Sequence, residues 1–178
     1  MASDRRGLWL TALLAVGAAG VVFGFLPGAW PNPLPQGTLD AEGSRLRLWA
    51  AANAVDAACA RGDVAAFAGV VTDAHRDRLG RELGAMDRSL DGAALRDLGT
   101  RRGLDYSAWL ARPLLAGEVR GPRAAVAVQR PAGDGVQVLS FVWDGHVLRL
   151  DDSRHSPQCK TAAMARAAVA DAVLRRAR

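Results

Sequence analysis

Asp144-Gly145 sits between Val136-Gln-Val-Leu-Ser-Phe-Val-Trp143 and His146-Val-Leu-Arg-Leu150, and this pattern restricts the chain more than any other stretch of it. Both central residues of a type I′ turn take positive φ, which Asp and Gly tolerate, so β-prone runs joined by this dipeptide are expected to pair as a hairpin. A two-residue loop sets Trp143 opposite His146, Phe141 opposite Leu148 and Leu139 opposite Leu150, all on one side of the sheet. Upstream, pairing Arg130 with Val136 across the Pro/Gly-rich turn sets Ala127 opposite Leu139 and Ala125 opposite Phe141. The reverse face then carries Ala124, Val126, Val128, Val138, Ser140, Val142, Val147 and Arg149, six apolar residues mixed with two polar ones. Leu114 to Val119, turned by Arg120-Gly121-Pro122, adds a first strand, so Pro113 to Asp152 reads as a four-stranded antiparallel meander.

Helical patterns precede the meander. Ser44 is expected to cap a helix over Arg45 to Arg61 with Leu48, Ala52, Val55 and Cys59 inward and Gly62 as its stop. Asp63 caps the next helix, which buries Phe67, Val70 and Val71. Arg61-Gly62-Asp63 spells an integrin-binding tripeptide, but a helix-stop glycine followed by a helix-start aspartate accounts for the same letters. Asp73 is expected to cap a third helix whose stripe is Leu79, Leu83, Met86 and Leu90. Asp91 starts a segment holding Leu95 and Leu98 and ended by Gly99, and Trp109 plugs the core before the first strand. After the meander, Thr161 caps an Ala-rich helix with Ala165, Val169, Ala172 and Val173 on one side and arginines at its end.

The N-terminal region follows different rules. Residues 8–26 are 19 positions without a charge, long enough as a helix of about 28 Å to cross a bilayer. Arg5 and Arg6 precede this run and no charge follows it before Asp40, so the positive-inside rule puts residues 1–7 in the cytoplasm and the rest outside. The run exceeds the apolar core of a cleaved signal peptide, and Pro27 spoils the nearest cleavage site, which favours an uncleaved anchor. Arg5-Arg6 lacks the remainder of a twin-arginine signal. Residues 27–43, rich in Pro and Gly, are expected to act as an extended spacer. The expected architecture is therefore α+β: a transmembrane helix, a spacer, a helix-wrapped curved sheet over residues 44–152, and a basic C-terminal helix over residues 153–178. The expected location is the cytoplasmic membrane, single-pass, with the globular domain periplasmic or extracellular.

The formal charge of +5 raises the question of nucleic acid. Residues 31–153 hold 15 basic and 16 acidic side chains, whereas residues 154–178 hold six basic ones against Asp171 alone. The excess belongs to the tail, and the folded part lacks a basic stripe interleaved with aromatics, so nucleic acid is not an expected partner.

A helix ending in Ala60-Arg-Gly-Asp-Val-Ala-Ala-Phe67, further helices, and a meander closing on Phe141-Val-Trp-Asp-Gly-His-Val-Leu-Arg-Leu-Asp151 resemble the nuclear transport factor two-like superfamily. The similarity is to its lumazine-binding-like and bacterial envelope branches and covers about Ser44 to Asp152; Val147 stands where such proteins often carry Trp. It implies a cone of helices wrapped on a curved sheet, an interior pocket in many relatives and dimerisation through the outer sheet face in others. No single activity follows from it, since fold does not fix function.

Catalytic chemistry finds little footing. Isomerases of that superfamily use a Tyr and acids inside the cone, but this chain has one tyrosine, Tyr106, and the meander's large-residue face carries only His146 as a polar group. Asp73-Ala-His75-Arg-Asp77 and Asp151-Asp152-Ser-Arg-His155 offer metal-ligand types without metal-site spacing, and there is no phosphate loop, nucleophile elbow or paired-cysteine motif. No catalytic residue, metal or cofactor is assigned. Cys59 and Cys159 are a candidate disulfide in an oxidising compartment, closing a loop worth up to about 4.7 kcal/mol; the alternative is a buried Cys59 and an idle Cys159.

Two functions of different class fit these residues. The favoured one is a non-catalytic, membrane-anchored interaction or scaffold domain of the bacterial envelope, which dimerises or binds an envelope partner through Val126, Val138, Val142 and Val147. The alternative is a small-molecule binder, or an isomerase or dehydratase, with Tyr106, Trp143 and His146 lining the cone opening.

Overall fold

Leu48, Ala52, Val55 and Cys59 recur at helical spacing, and all four are buried along one stripe of the first helix, α1 (Glu42–Arg61). In the computed structural model, which describes residues 33–39, 42–101, 105–130 and 134–175, α1 is the spine of the helical layer. The chain divides into two compact units, Met1–Pro31 and Asn32–Arg178, and the described residues all belong to the second. The expected membrane segment, residues 8–26, lies outside the described residues. Among those described, no helix is long and apolar enough to cross a membrane.

Gly62 ends α1 at φ 66°, where its amide and that of Asp63 bond the Cys59 and Ala58 carbonyls at 3.0 Å each, a Schellman motif. Asp63 then accepts the Ala66 amide and starts α2 (Val64–Val70). The cap of α3 (Asp73–Gly84) is Thr72, one residue before the expected Asp73. That shift matters, because the Thr72 amide also donates to the Leu150 carbonyl at 2.9 Å, and Val71 bridges Leu150 as a short parallel contact. Two further helices, α4 (Gly92–Arg101) and α5 (Tyr106–Leu110), complete this layer. Helix α4 runs two residues past the expected stop at Gly99, and Met86, expected inside, is exposed. Arg45 ties α5 to α1 by donating to the Leu110 and Arg112 carbonyls at 2.9 and 2.8 Å.

The sheet is antiparallel throughout, in the order β1 (Gly37–Thr38), β2 (Leu114–Arg120), β3 (Arg123–Gln129), β4 (Val136–Trp143), β5 (Leu148–Ser156). It thus has five strands where four were expected. The fifth comes from the Pro/Gly-rich segment: β1 pairs with β2, Leu34 and Leu39 are buried in the core, and the Gln36 amide clasps Gly121 through two hydrogen bonds. This approach requires Gly117, since a Cβ there would lie 2.7 Å from the Leu39 Cβ. At least residues 33–39 of the expected spacer are therefore part of the domain.

Two registers differ from expectation. Val136 pairs with Gln129, not Arg130, and this one-residue slip exchanges the faces of β3. Ala124, Val126 and Val128 consequently join Leu139 and Phe141 in the main core, while Ala125 and Ala127 face the other way. At the last hairpin Trp143 pairs with Leu148, leaving Asp144 to Val147 as a four-residue loop. Only Gly145 takes positive φ there, whereas a type I′ turn needs two such residues. The Asp144 carboxylate instead accepts the His146 and Val147 amides at 2.9 Å each and folds the wider loop. Because that shift is of two residues, Trp143, Leu148, Phe141 and Leu150 keep a common face.

A bulge follows. Phe141 pairs with Leu150 but Ser140 with Asp152, so Asp151 is the extra residue of β5. Beyond it Asp152, Arg154 and Ser156 share a face with Ser140, Val138 and Val136. Helices α1 to α5 cover the sheet's large-residue face. The last helix, α6 (Ala162–Leu174), capped as expected by Thr161, lays Ala165, Val169 and Val173 against Ala125, Ala127, Val136 and Val138 on the reverse face.

Candidate functional site

The covering helix α6 decides which surfaces remain open. Of the four valines expected on a free outer face, Val126 is 0% exposed in the main core and Val138 is 6% exposed beneath α6. Val142 and Val147 are half-buried near the last hairpin. Cys59 and Cys159 are free thiols, buried in separate clusters, Cys59 with the helical layer and Cys159 with α6, so the candidate disulfide is not formed. Burial pushes the Cys59 thiol up to about 11 and also raises that of Cys159.

Tyr106, Trp143 and His146 do not share an open site. Tyr106 is 2% exposed, its ring edge-on to Trp109 at 5.5 Å, and burial followed by the nearby Cys59 and Asp56 raises its phenol pKa. Trp143 is half-buried against the main core, and its amide donates to the Pro122 carbonyl at 2.7 Å. His146 is exposed on the hairpin loop. Sequence patterns overlooked Asp56, whose carboxylate reaches from α1 to accept the Tyr106 and Ser107 amides at 3.1 and 2.8 Å. Burial raises its pKa although those amides pull the other way. It is a second cap on α5 beside Asp105, supplied from another helix.

An open groove of about 1050 Å³ lies where α3, α6 and the second half of β5 meet. Arg78 and Arg81 come from α3, Arg175 follows α6, and Arg154 and His155 come from β5; Val138, Ser140, Ala168 and Ala172 supply small floor positions. The acids are engaged. Asp152 pairs with both Arg78 and Arg154, and Asp171 pairs with Arg175. Asp151 accepts the Thr72 hydroxyl at 2.8 Å and the Arg123 guanidinium at 3.3 Å. Arg81 makes no ion pair among the described residues, so positive charge exceeds negative along the groove. A smaller pocket of about 270 Å³ lies beside the start of α6, near Leu115, Val136, Cys159 and Lys160. Tyr106, Trp143 and His146 line neither space.

Also on α3, His75 is 4% exposed and neither ring nitrogen has a hydrogen-bond partner. Burial lowers its pKa, and the neighbouring Arg78 lowers it further, against the opposing pull of Asp152, Asp151 and the Asp151 backbone. That backbone lies close enough to favour a cation but does not meet hydrogen-bond geometry. Neutral imidazole is therefore the form the fold accommodates.

Among the described residues no group of three or more His, Cys, Asp or Glu side chains is arranged to hold a metal ion. No hydroxyl lining the groove is hydrogen-bonded to a histidine there, and His155 Nε2 meets the Asp134 carbonyl at 2.9 Å. The arrangement can attract and orient an anionic partner. Comparison of the chain with family models, with curated proteins and with solved structures finds no match in any of the three.

Proposed function

We propose that this chain is a non-catalytic, membrane-anchored interaction domain of the bacterial cell envelope, which holds its partner in the groove between α3, α6 and β5. The reading rests on where open, chemically featured surface lies: arginines of three elements converge on one groove of about 1050 Å³. The helix-lined side of the sheet is filled instead by Phe67, Phe141, Leu48, Leu95, Leu110, Leu139 and Leu150, all fully buried. Anchoring through residues 8–26, with the domain outside, is inferred from their uncharged length and the flanking arginines. We also propose membership of the nuclear transport factor two-like superfamily. The succession of helices and then a meander, with those helices on its bulky face, supports this. Because α6 occupies the reverse face, the groove takes over the binding role first expected of the valines.

The test uses the full chain in bacterial membranes. Anchoring predicts resistance to alkaline extraction and digestion of the domain by protease added to spheroplasts; release on extraction refutes it. A photo-crosslinking residue at Ala172, in the groove, should give a discrete adduct that Arg81→Glu with Arg154→Glu abolishes. One at Arg47, exposed on α1, should not. An adduct indifferent to the arginines would remove the groove from the function.

A further inference from the structure

We propose that the groove receives an extended acidic segment of a partner protein, which adds to the outer edge of β5 as a sixth strand. This deepens the groove reading above and rests on it. Strand β5 is an edge strand whose only strand neighbour among the described residues is β4. Its outer side is occupied first at Leu150, where Val71 bridges and the Thr72 amide takes the carbonyl. From Asp152 to Ser156 no strand or bridge among the described residues follows on that side. The Ser153 amide is met by the neighbouring Asp152 carboxylate at 2.8 Å, and Arg154 and His155 are exposed. An edge in this state presents backbone donors and acceptors that another extended chain can pair with.

The charges select among occupants. A second copy pairing antiparallel about this stretch would bring Arg154 against Arg154, and like charges directly opposite oppose such a ladder. A basic segment would meet Arg78, Arg81, Arg154 and Arg175 along the same groove. An acidic one replaces neither Asp152 nor Asp171, which already have partners, and gains Arg81, which has none among the described residues. Side chains alternating along the added strand would set every second one over the small floor of Val138, Ala168 and Ala172 and leave those between for the groove's arginines. That alternation favours Glu or Asp interleaved with small apolar residues.

The experiment measures fluorescence anisotropy of labelled decapeptides with the full chain in detergent micelles. One alternates Glu with Val; a second replaces Glu with Lys; a third keeps the glutamates but places Pro at two of the valines, which removes ladder donors. The first peptide should bind, and the other two should bind at least roughly tenfold more weakly. Arg81→Glu with Arg154→Glu should cost a similar factor, with unchanged circular dichroism as the folding control. No binding of the first peptide, or equal binding of the lysine peptide, overturns the proposal. Equal binding of the proline peptide overturns strand addition, while the charge-dependent crosslink from Ala172 would leave the groove itself standing. Loss of that crosslink's charge dependence would take both.

Discussion

Replacing His75 by Leu should make the domain more stable at neutral pH and flatter in its response to acid. The ring is 4% exposed and both nitrogens lack partners, and a buried polar atom left unpaired costs about 1–3 kcal/mol. Leu fills a similar volume without those atoms, so a gain of about 1–3 kcal/mol is expected, or roughly 2–4 °C in Tm per kcal/mol for a chain of this size. The acid response follows from the depressed pKa. In the unfolded chain His75 titrates near 6.5, as an ordinary histidine does (about 6.5). In the fold, burial and Arg78 from its own helix outweigh Asp151 and Asp152 from β5, so the folded pKa lies lower. Between the two values the unfolded state binds the extra proton. This contribution to stability is complete above about pH 6.5 and is lost as pH falls through the folded pKa, with a slope of at most about 1.4 kcal/mol per pH unit. Urea melts followed by circular dichroism from pH 8 to 5 would measure it. His75→Gln separates the effects, since it removes the titration but keeps polar atoms. Equal stability of the Leu variant at pH 8, or the same acid slope in wild type and both variants, would refute the reasoning.

Three further outcomes are expected. Asp56→Ala should cost about 1–2 kcal/mol, because it strips acceptors from the Tyr106 and Ser107 amides; urea denaturation would show it, and Asp56→Asn should recover part of the loss. Gly117→Ala should cost about 1–3 kcal/mol, because its Cβ lies 2.7 Å from Leu39 Cβ, and limited proteolysis should then cut within residues 33–39. Neither Cys59 nor Cys159 should react with a maleimide reagent at pH 8 before denaturation, given two buried thiols with raised pKa values; a shift between reduced and non-reduced gels would contradict their being free.

Where a residue pattern leaves one physical solution, the sequence was legible. The stripe from Leu48 to Cys59 is apolar on one side only, and Gly62-Asp63 offers a positive-φ stop followed at once by a carboxylate cap. Thr161 and the valines of α6 were equally plain, although nothing in that helix says which surface it will cover. The β3 register could not be chosen from its side chains. Ala124, Val126 and Val128 on one side and Ala125 and Ala127 on the other are all small and apolar, so either face suits a core. Asp144-Gly145 misled because the aspartate side chain competes for nearby amides and stabilises a wider loop than the backbone alone prefers. The groove was hidden for another reason. Arg78, Arg81, Arg154 and Arg175 are spread across nearly 100 positions and meet only once α3 is stitched to β5 through Thr72.

Asp151, the extra residue in the middle of β5, makes the count of residues there more consequential than their identity. Ahead of it the strand feeds leucines into oil; behind it the same alternation delivers Asp152 and Arg154 to water. Trimming Asp151 would turn the trailing half inside out, pressing a carboxylate and a guanidinium into the apolar layer while swinging Ser153 and His155 toward the arginines. Swapping its side chain should therefore be survivable where shortening the strand by one is not.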